Sequence, residues 1–473
     1  IQAGEKKQLD LQLVSEKNIV QTLIALLPVK LRNELKAYRS EGSIGFSAEL
    51  NGPYAGGQRP AIAADFHCED VTFYYPGYEK AFSDLNFQGK FSNGPGRNLQ
   101  SSLLEIRDFS GRIDEHLIQG RLVLNDLKNL NADMELSGTI DLDAFLKTFP
   151  VKDIRKGTGR IDFGVRFEGK IRELRETRTG SIRTSGEINL KEVDLLTRFS
   201  ELSFSGINGD FFFNNMDLGI QDFRGAIGNS DFHITGLFRN IIPFFFYKDR
   251  PLNIEADLRS RYLDLNELFT LNFSGRDDLD SRERKYHLGI SPKLNLDFNC
   301  DIRQADLRRF HGERIRGTLA IHDQIAVVED VSMNTMGGRL LLSGSIMARD
   351  PVDRDFLVDG ILENIYIDSV FYVFENFNQR FLMDENLKGQ IDASVNCFFR
   401  MDDNLHFNSG SLDTYVEARI KQGQLLQFEP IQSLGKYLKN EDLTHVRFSD
   451  LQNNIRIRDR TVFIPEMEII SSE

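Results

Sequence analysis

The sequence predicts a mainly β protein with short helices, built from one sheet unit used repeatedly. Two observations carry that expectation. Long stretches alternate apolar and polar residues with a period of two, the signature of a half-buried strand. One phrase is also written twice: residues 106–111 read Ile-Arg-Asp-Phe-Ser-Gly, and residues 220–225 read Ile-Gln-Asp-Phe-Arg-Gly. Each is followed by an Ile, a polar turn and a short apolar strand closing on Gly120 or Gly236. Recurrence of this kind marks a repeat architecture.

Along the chain, residues 15–38 (SEKNIVQTLIALLPVKLRNELKAY) carry helical spacing, with Ser15 as N-cap and Pro28 breaking or re-aiming the helix. The strand GSIGFSAELNG then puts Ile44, Phe46, Ala48 and Leu50 on one face. Residues 51–60 and 92–98 are rich in Asn, Gly and Pro and read as turns or loops. A second helix, 141–154, precedes GRIDFGVRFEG, where Ile161, Phe163, Val165 and Phe167 oppose Asp162, Gly164, Arg166 and Glu168. A third helical stretch, 264–273, precedes PKLNLDFNC with Leu294, Leu296 and Phe298. A fourth, 368–382, precedes GQIDASVNCFF with Ile391, Ala393, Val395, Cys397 and Phe399. These last three helices each open on Asp, whose carboxylate accepts from free first-turn N–H groups.

The repeat is therefore a short helix, a strand started by Gly42, Gly159 or Gly389 (Pro292 in the third copy), a second strand leading to a bend, and the Ile-x-Asp-Phe hairpin. The third hairpin, 327–344, is degenerate, with Asp330 and Val331 in the Asp-Phe places, and the fourth, 462–472, stops before its closing strand. Asp108, Asp222 and Asp330 lie 114 and 108 positions apart. The expected units are 1–138, 139–262, 263–365 and a truncated 366–473. A one-sided apolar sheet cannot bury itself, so end-to-end stacking into one solenoid-like sheet is expected rather than independent domains.

Composition narrows the function. Of 473 residues 40% are hydrophobic and 27% charged, as in a folded chain. The net charge of −13, without a basic run, argues against nucleic acid, which needs clustered Lys and Arg. Cys68, Cys300 and Cys397 are an odd, dispersed set, neither a disulfide framework nor a zinc site, and each reads as a small buried strand residue. The longest apolar run, 241–247 (IIPFFFY), is far short of the ~20 residues of a membrane helix. It reads as a crossover strand starting at Pro243, or as a loop that dips into a membrane or plugs a groove. The mixed charge run 275–287 reads as a solvated loop. The chain opens on Ile1 and reads as a piece of a longer protein.

No enzyme motif is present: there is no His-Glu-x-x-His, Gly-x-Ser-x-Gly or Gly-Lys-Ser/Thr phosphate loop. Glu115 with His116, and His67 with Cys68, are strand neighbours that point to opposite faces and do not converge on an ion. Asp402 and Asp403 read as a solvated turn. The expectation is a protein without catalytic residues, metal or cofactor.

The short helix with Leu-Leu-Pro, the G-x-I-x-F strand and FSDLQNNIRIRDRTVFIPEMEIISS (448–472) together resemble the AsmA family, in its C-terminal region related to the TamB and YhdP proteins. The resemblance implies an elongated, twisted and curved antiparallel sheet whose repeats form an open apolar groove. It implies a periplasmic protein of a Gram-negative bacterium, anchored in the inner membrane by an N-terminal helix absent from this sequence. It also implies a role in moving phospholipids toward the outer membrane and supporting that membrane's biogenesis.

The physics of that role is simple. Exposing a lipid chain to water costs ~0.8 kcal/mol per methylene, so two chains of about 16 carbons cost roughly 25 kcal/mol. A continuous apolar trough removes that barrier without chemistry. Its expected lining is Ile44 and Phe46; Ile161, Phe163, Val165 and Phe167; Leu294, Leu296 and Phe298; and Ile391, Val395 and Phe399. The expected partners are phospholipid acyl chains and the surfaces or proteins of the two membranes. One alternative is an envelope scaffold or chaperone for outer-membrane protein assembly that binds partners by strand addition. Another is a closed β-repeat adhesin.

Overall fold

The computed structural model describes residues 8–18, 39–54, 58–74, 81–149, 151, 154–174, 182–198, 201–241, 244, 250–270, 290–348, 353–402, 406–434, 443–464 and 468–471. The chain divides into two compact units, residues 1–225 with 237–250, and residues 226–236 with 251–473.

In the first unit the strands β1 (Gln8–Asn18), β2 (Arg39–Pro53), β3 (Ala61–Tyr74), β4 (Ala81–Ser92), β5 (Leu103–Ile113), β6 (His116–Asn125) and β7 (Asn131–Asp141) each pair antiparallel with the next. Helix α1 (Leu142–Thr148) follows, and β8 (Ile154–Lys170), β9 (Arg183–Thr197) and β10 (Ser203–Asn214) continue the same pairing from β7. Strands β11 (Asp217–Ile227) and β12 (Ser230–Arg239) contribute residues to both units.

The second unit opens with β13 (Leu252–Ser260), β14 (Leu263–Asp264) and the one-turn helix α2 (Leu265–Leu268). An antiparallel run follows: β15 (Leu294–Leu307), β16 (Phe310–His322), β17 (Ile325–Thr335), β18 (Gly338–Met347), β19 (Asp353–Tyr366), helix α3 (Ile367–Val373), β20 (Leu387–Asp402), β21 (Phe407–Leu426), helix α4 (Glu429–Leu434) and β22 (His445–Arg458). Both β23 (Thr461–Phe463) and β24 (Glu468–Ser471) pair with β22. In each unit the sheet is open rather than closed into a barrel. One departure from the antiparallel expectation is local: β13 and β14 run parallel to β15, across the crossover that a parallel pair requires.

Register gathers the apolar residues on one face. In the first unit Phe46, Phe66, Gly89, Ile106, Leu122, Met134 and Phe167 face one another in turn from β2 to β8. In the second, Phe298, Leu319, Val328, Gly344, Val358 and Cys397 do the same from β15 to β20.

The repeated Ile-x-Asp-Phe phrase has a mechanical explanation. Ile106 and Phe109 are three apart, so strict alternation would send one of them to the wrong face. A β-bulge absorbs the extra residue, with Asp108 left-handed at φ 51° and the register broken between Ile106 and Phe109. The same three-residue step, with the left-handed residue just before the second apolar one, recurs at Cys68–Asp70–Val71, Phe82–Asp84–Leu85, Leu190–Glu192–Val193, Val328–Asp330–Val331 and Leu362–Asn364–Ile365. Asp222, in the second copy of the phrase, is not left-handed, and pairs with Arg224 at 3.1 Å. A left-handed non-glycine residue costs about 1–2 kcal/mol. Without the bulge in β3, both Val71 and Phe73 would turn to the polar face, fully buried Val71 losing about 1.5–3 kcal/mol and half-buried Phe73 part of that. The bulge is the smaller cost.

Side chains fill the gaps that the bulges leave. Asn86 Oδ1 accepts from the Asp70 N–H at 3.0 Å, and Asn208 Oδ1 accepts from the Glu192 N–H at 3.2 Å. Opposite these bulges sit Gly42 at φ 101° and Gly159 at φ 104°. They were expected to start their strands, as was Gly389, but β2, β8 and β20 begin earlier, at Arg39, Ile154 and Leu387, because backbone pairing continues past the positive-φ glycine. A Cβ on Gly159 would lie 2.4 Å from the Glu192 carbonyl oxygen and 2.6 Å from Val193 Cα. Beside the bulges Val71 and Val193 are almost wholly buried.

Helices α1 and α3 lie on the apolar face at this end of the strands. Leu142 and Leu146 of α1 pack with Val193, Ile207 and Ile161, and Ile367, Val370 and Phe371 of α3 pack with Ile365, Leu387 and Ile391. Asp141 caps α1 by accepting from Ala144 N at 2.9 Å, and Asp264 caps α2. Two expectations need correction. Ser15 is not a helix cap but lies within β1, opposite Phe46, where Leu9, Leu11 and Leu13 supply the alternation. Asp368 does not cap α3; the cap position is Tyr366, and Asp368 sits in the first turn, held by Lys388 at 2.9 Å. The rest of the first expected helix (19–38) and the run 275–287 lie outside the described residues, as does most of 241–247.

Two substitutions in β8 separate these effects. Gly159→Ala is expected to destabilise the protein by about 2 kcal/mol, from left-handed strain and the backbone clash. Gly164→Ala, whose Cβ would meet nothing nearer than Ser137 Cβ at 4.0 Å, is expected to change stability by less than about 0.5 kcal/mol. Denaturant midpoints of the two variants measure the difference.

Candidate functional site

All twelve residues expected to line the groove lie on the apolar face of their own unit, and they divide by position along the strand. Ile44, Leu296 and Ile391 are buried. Ile44 belongs to a dry cluster with Cys68, Val71 and Leu85, and Ile391 to the one under α3, while Ile161 packs at the edge of the α1 cluster. Phe46, Ile161, Phe163, Val165, Phe167, Leu294, Phe298, Val395 and Phe399 are half-buried. Neighbouring strands shield these side chains laterally, but the outward surface of the face remains open. Bulges and helices thus seal one end of β2, β8 and β20 and leave their middles accessible, whereas Leu296 is buried near the start of β15, away from α2 at that strand's other end.

Many of the phenylalanines stand on this face, while Phe212 and Phe398 stand on the other. Phe356 stacks on Phe399 at 4.9 Å and 7°, Phe82 on Phe109 at 6.1 Å, and Phe66 meets Phe87 edge-on at 6.1 Å. Such cross-strand aromatic pairs stabilise a sheet by up to ~1 kcal/mol each. Phe66, Phe91 and Phe356 were missing from the expected lining. Their signal was available in register with Phe46, Leu104 and Phe399, which local alternation does not reveal. The three cysteines share the apolar face. Burial pushes the Cys68 thiol up to about 12 and that of Cys300 up to about 11, and it also raises Cys397. All three are therefore neutral near pH 7 and behave as small apolar residues.

The opposite face is tied together by charge. Arg121 grips Asp133 through two nitrogens at 3.0 and 3.1 Å. Asp162 accepts from Lys191 Nζ at 2.8 Å, Thr139 Oγ1 at 2.7 Å and Arg160 Nε at 2.8 Å. Burial alone would raise the Asp162 carboxyl, but these three donors outweigh it and hold it well below the usual carboxylate range. A cavity on this face, between Glu105, Arg107, Arg121 and Glu135, is lined by such paired charges. In the second unit this face also carries exposed Leu357 and Ile361.

Among the described residues no three His, Cys, Asp or Glu side chains gather to hold a metal ion. No described helix is long and apolar enough to cross a membrane. No family model, curated protein or solved structure matches the chain.

Because its folded-state pKa is depressed, Asp162 contributes stability that is present above the unfolded value of about 3.9 and is lost as pH falls toward the folded one. Asp162→Asn is therefore expected to lower the urea midpoint at pH 7, with a smaller gap from the parent at pH 3. A gap that stays constant with pH would contradict the ion-pair account.

Proposed function

We propose that this chain is a non-enzymatic lipid carrier of the cell envelope, holding phospholipid acyl chains on the apolar faces of its sheets as they cross the aqueous space between inner and outer membranes. The observation that carries the reading is the half-exposed middle of each face, where Phe163, Val165 and Phe167 in one unit and Phe298, Val395 and Phe399 in the other meet solvent. A soluble fold ordinarily covers such rows with a second layer. An acyl chain laid along them regains a large part of the ~0.8 kcal/mol per methylene that water takes from it. The rows carry no charged group to trap a headgroup midway, so chains can slide along them. The resemblance of residues 448–472 to the AsmA C-terminal region supports the periplasm as the compartment and an inner-membrane anchor on the full-length protein.

Phe163→Asp tests the reading. Phe163 is half-buried and faces Gly138, so a carboxylate there reaches water and the fold is expected to survive. Transfer of a fluorescent phospholipid between donor and acceptor vesicles is expected to fall several-fold. A folded variant, checked by circular dichroism, that moves lipid at the parental rate would sink the groove assignment.

A further inference from the structure

We infer that the first unit ends in an anion pocket that receives the phosphate of a negatively charged lipid headgroup, an inference that rests on the lipid-carrier reading. At the strand ends remote from α1, residues of three connections and the end of β2 border an open surface cavity of about 680 Å³. Its lining includes Arg59 ahead of β3, Arg97 in the β4–β5 loop and Lys128 in the β6–β7 turn, and it includes no acid. Elsewhere in this acidic chain the basic side chains of the sheet are largely matched to carboxylates, as Lys90 is to Asp65 and Arg107 to Glu105. Among the described residues Arg59, Arg97 and Lys128 make no ion pair. Asp126, two residues before Lys128, accepts from Asn129 at 2.9 and 3.1 Å and is also drawn by the Lys128 charge, without forming an ion pair with it.

The pocket is built rather than incidental. Buried Asn93 fixes the loop base, accepting from Ile62 N and donating to the Pro60 carbonyl, both at 2.9 Å. Ser101 Oγ donates to the Asn93 carbonyl at 2.7 Å and accepts from Gly96 N at 3.0 Å. Ser102, also buried, accepts from Leu127 N at 3.2 Å and so ties this loop to the turn that carries Lys128. The Arg97 guanidinium lies over Gly52, 2.8 Å from where a Cβ would stand. Gly52 shares its face with Leu50 and Ala48, so this cation closes the same apolar face that carries the acyl-chain rows. Leu50, Phe91, Leu104 and Leu124 lead along that face toward it, and Leu99 on the cavity wall is exposed. Arg97 Nη1 donates to the Arg59 carbonyl at 3.4 Å, which sets the two arginines side by side. An apolar track ending in cations that form no ion pair complements an anionic amphiphile: chains on the track, phosphate in the pocket. Charge-assisted bonds of Arg to phosphate are the strong kind, and a choline group beside three cations is repelled.

The test is calorimetric binding to the full chain of three probes: dihexanoyl phosphatidylglycerol and dihexanoyl phosphatidylcholine, both below their micelle concentrations, and inorganic phosphate. The parent is compared with the triple variant Arg59→Gln, Arg97→Gln and Lys128→Gln, surface changes whose fold is checked by circular dichroism. The expected result is phosphatidylglycerol bound at least tenfold more tightly than phosphatidylcholine, a preference that disappears in the variant while phosphatidylcholine affinity is unchanged. Inorganic phosphate should compete weakly. Phosphate binding as tightly as the lipid would assign the pocket to a free anion and overturn the headgroup assignment. Equal affinity for the two lipids, or a preference that survives in the variant, would overturn the pocket and leave the carrier reading standing. Neither lipid binding the parent would overturn both.

Discussion

The constraint on which the structure depends is parity. A strand shows alternate residues to alternate faces, and a slip of one residue exchanges the two faces entirely. This chain keeps its apolar residues on one face across many paired strands, and where the sequence steps by three instead of two a left-handed residue takes up the difference. Asp70, Asp84, Asp108, Glu192, Asp330 and Asn364 are those residues. Asp tolerates the left-handed region better than most side chains, which is why an acid stands in the middle of an otherwise apolar strand.

From the bulges follows the division of the apolar face into a sealed end and an open middle. The extra residue kinks its strand and brings backbones so close that only glycine fits opposite, as at Gly42 and Gly159. The dry clusters form there, beside Val71, Val193 and Ile365, and α1 and α3 dock onto two of them. Farther along the strands neither helix nor bulge intervenes, and Phe163 to Phe167 are left half exposed. Ion pairs such as Lys191–Asp162 hold the other face in register and keep it wet. The result is one apolar and one charged face in each unit, and the lipid-carrier proposal takes acyl chains to be what the apolar face meets.

Much of this was legible in the sequence, because alternation and the recurring Ile-x-Asp-Phe step are local patterns. Each of the twelve residues expected to line a groove could be assigned to a strand and a face from its immediate neighbours. What local pattern does not encode was missed. The parallel pairing of β13 with β15 is a choice of partner across a long connection, and nothing in LNIEADLRS announces it. Asp368 looked like a cap because Asp favours that position, yet an acid in the first helical turn is also favourable, and Lys388 on β20 settles which it is. Arg59, Arg97 and Lys128 lie far apart in the chain and meet only through the strand connections. Ser15 carried a helix signal, but its neighbours Leu9, Leu11 and Leu13 already alternated as a strand.

The central claim is that the apolar faces are open to lipid rather than filled by protein. Native mass spectrometry of the chain, purified without detergent from a bacterial envelope fraction and paired with lipid extraction, addresses it most directly. Several phospholipids bound per chain is the predicted result. A clean, lipid-free mass would contradict the account and turn attention to binding of protein partners by strand addition.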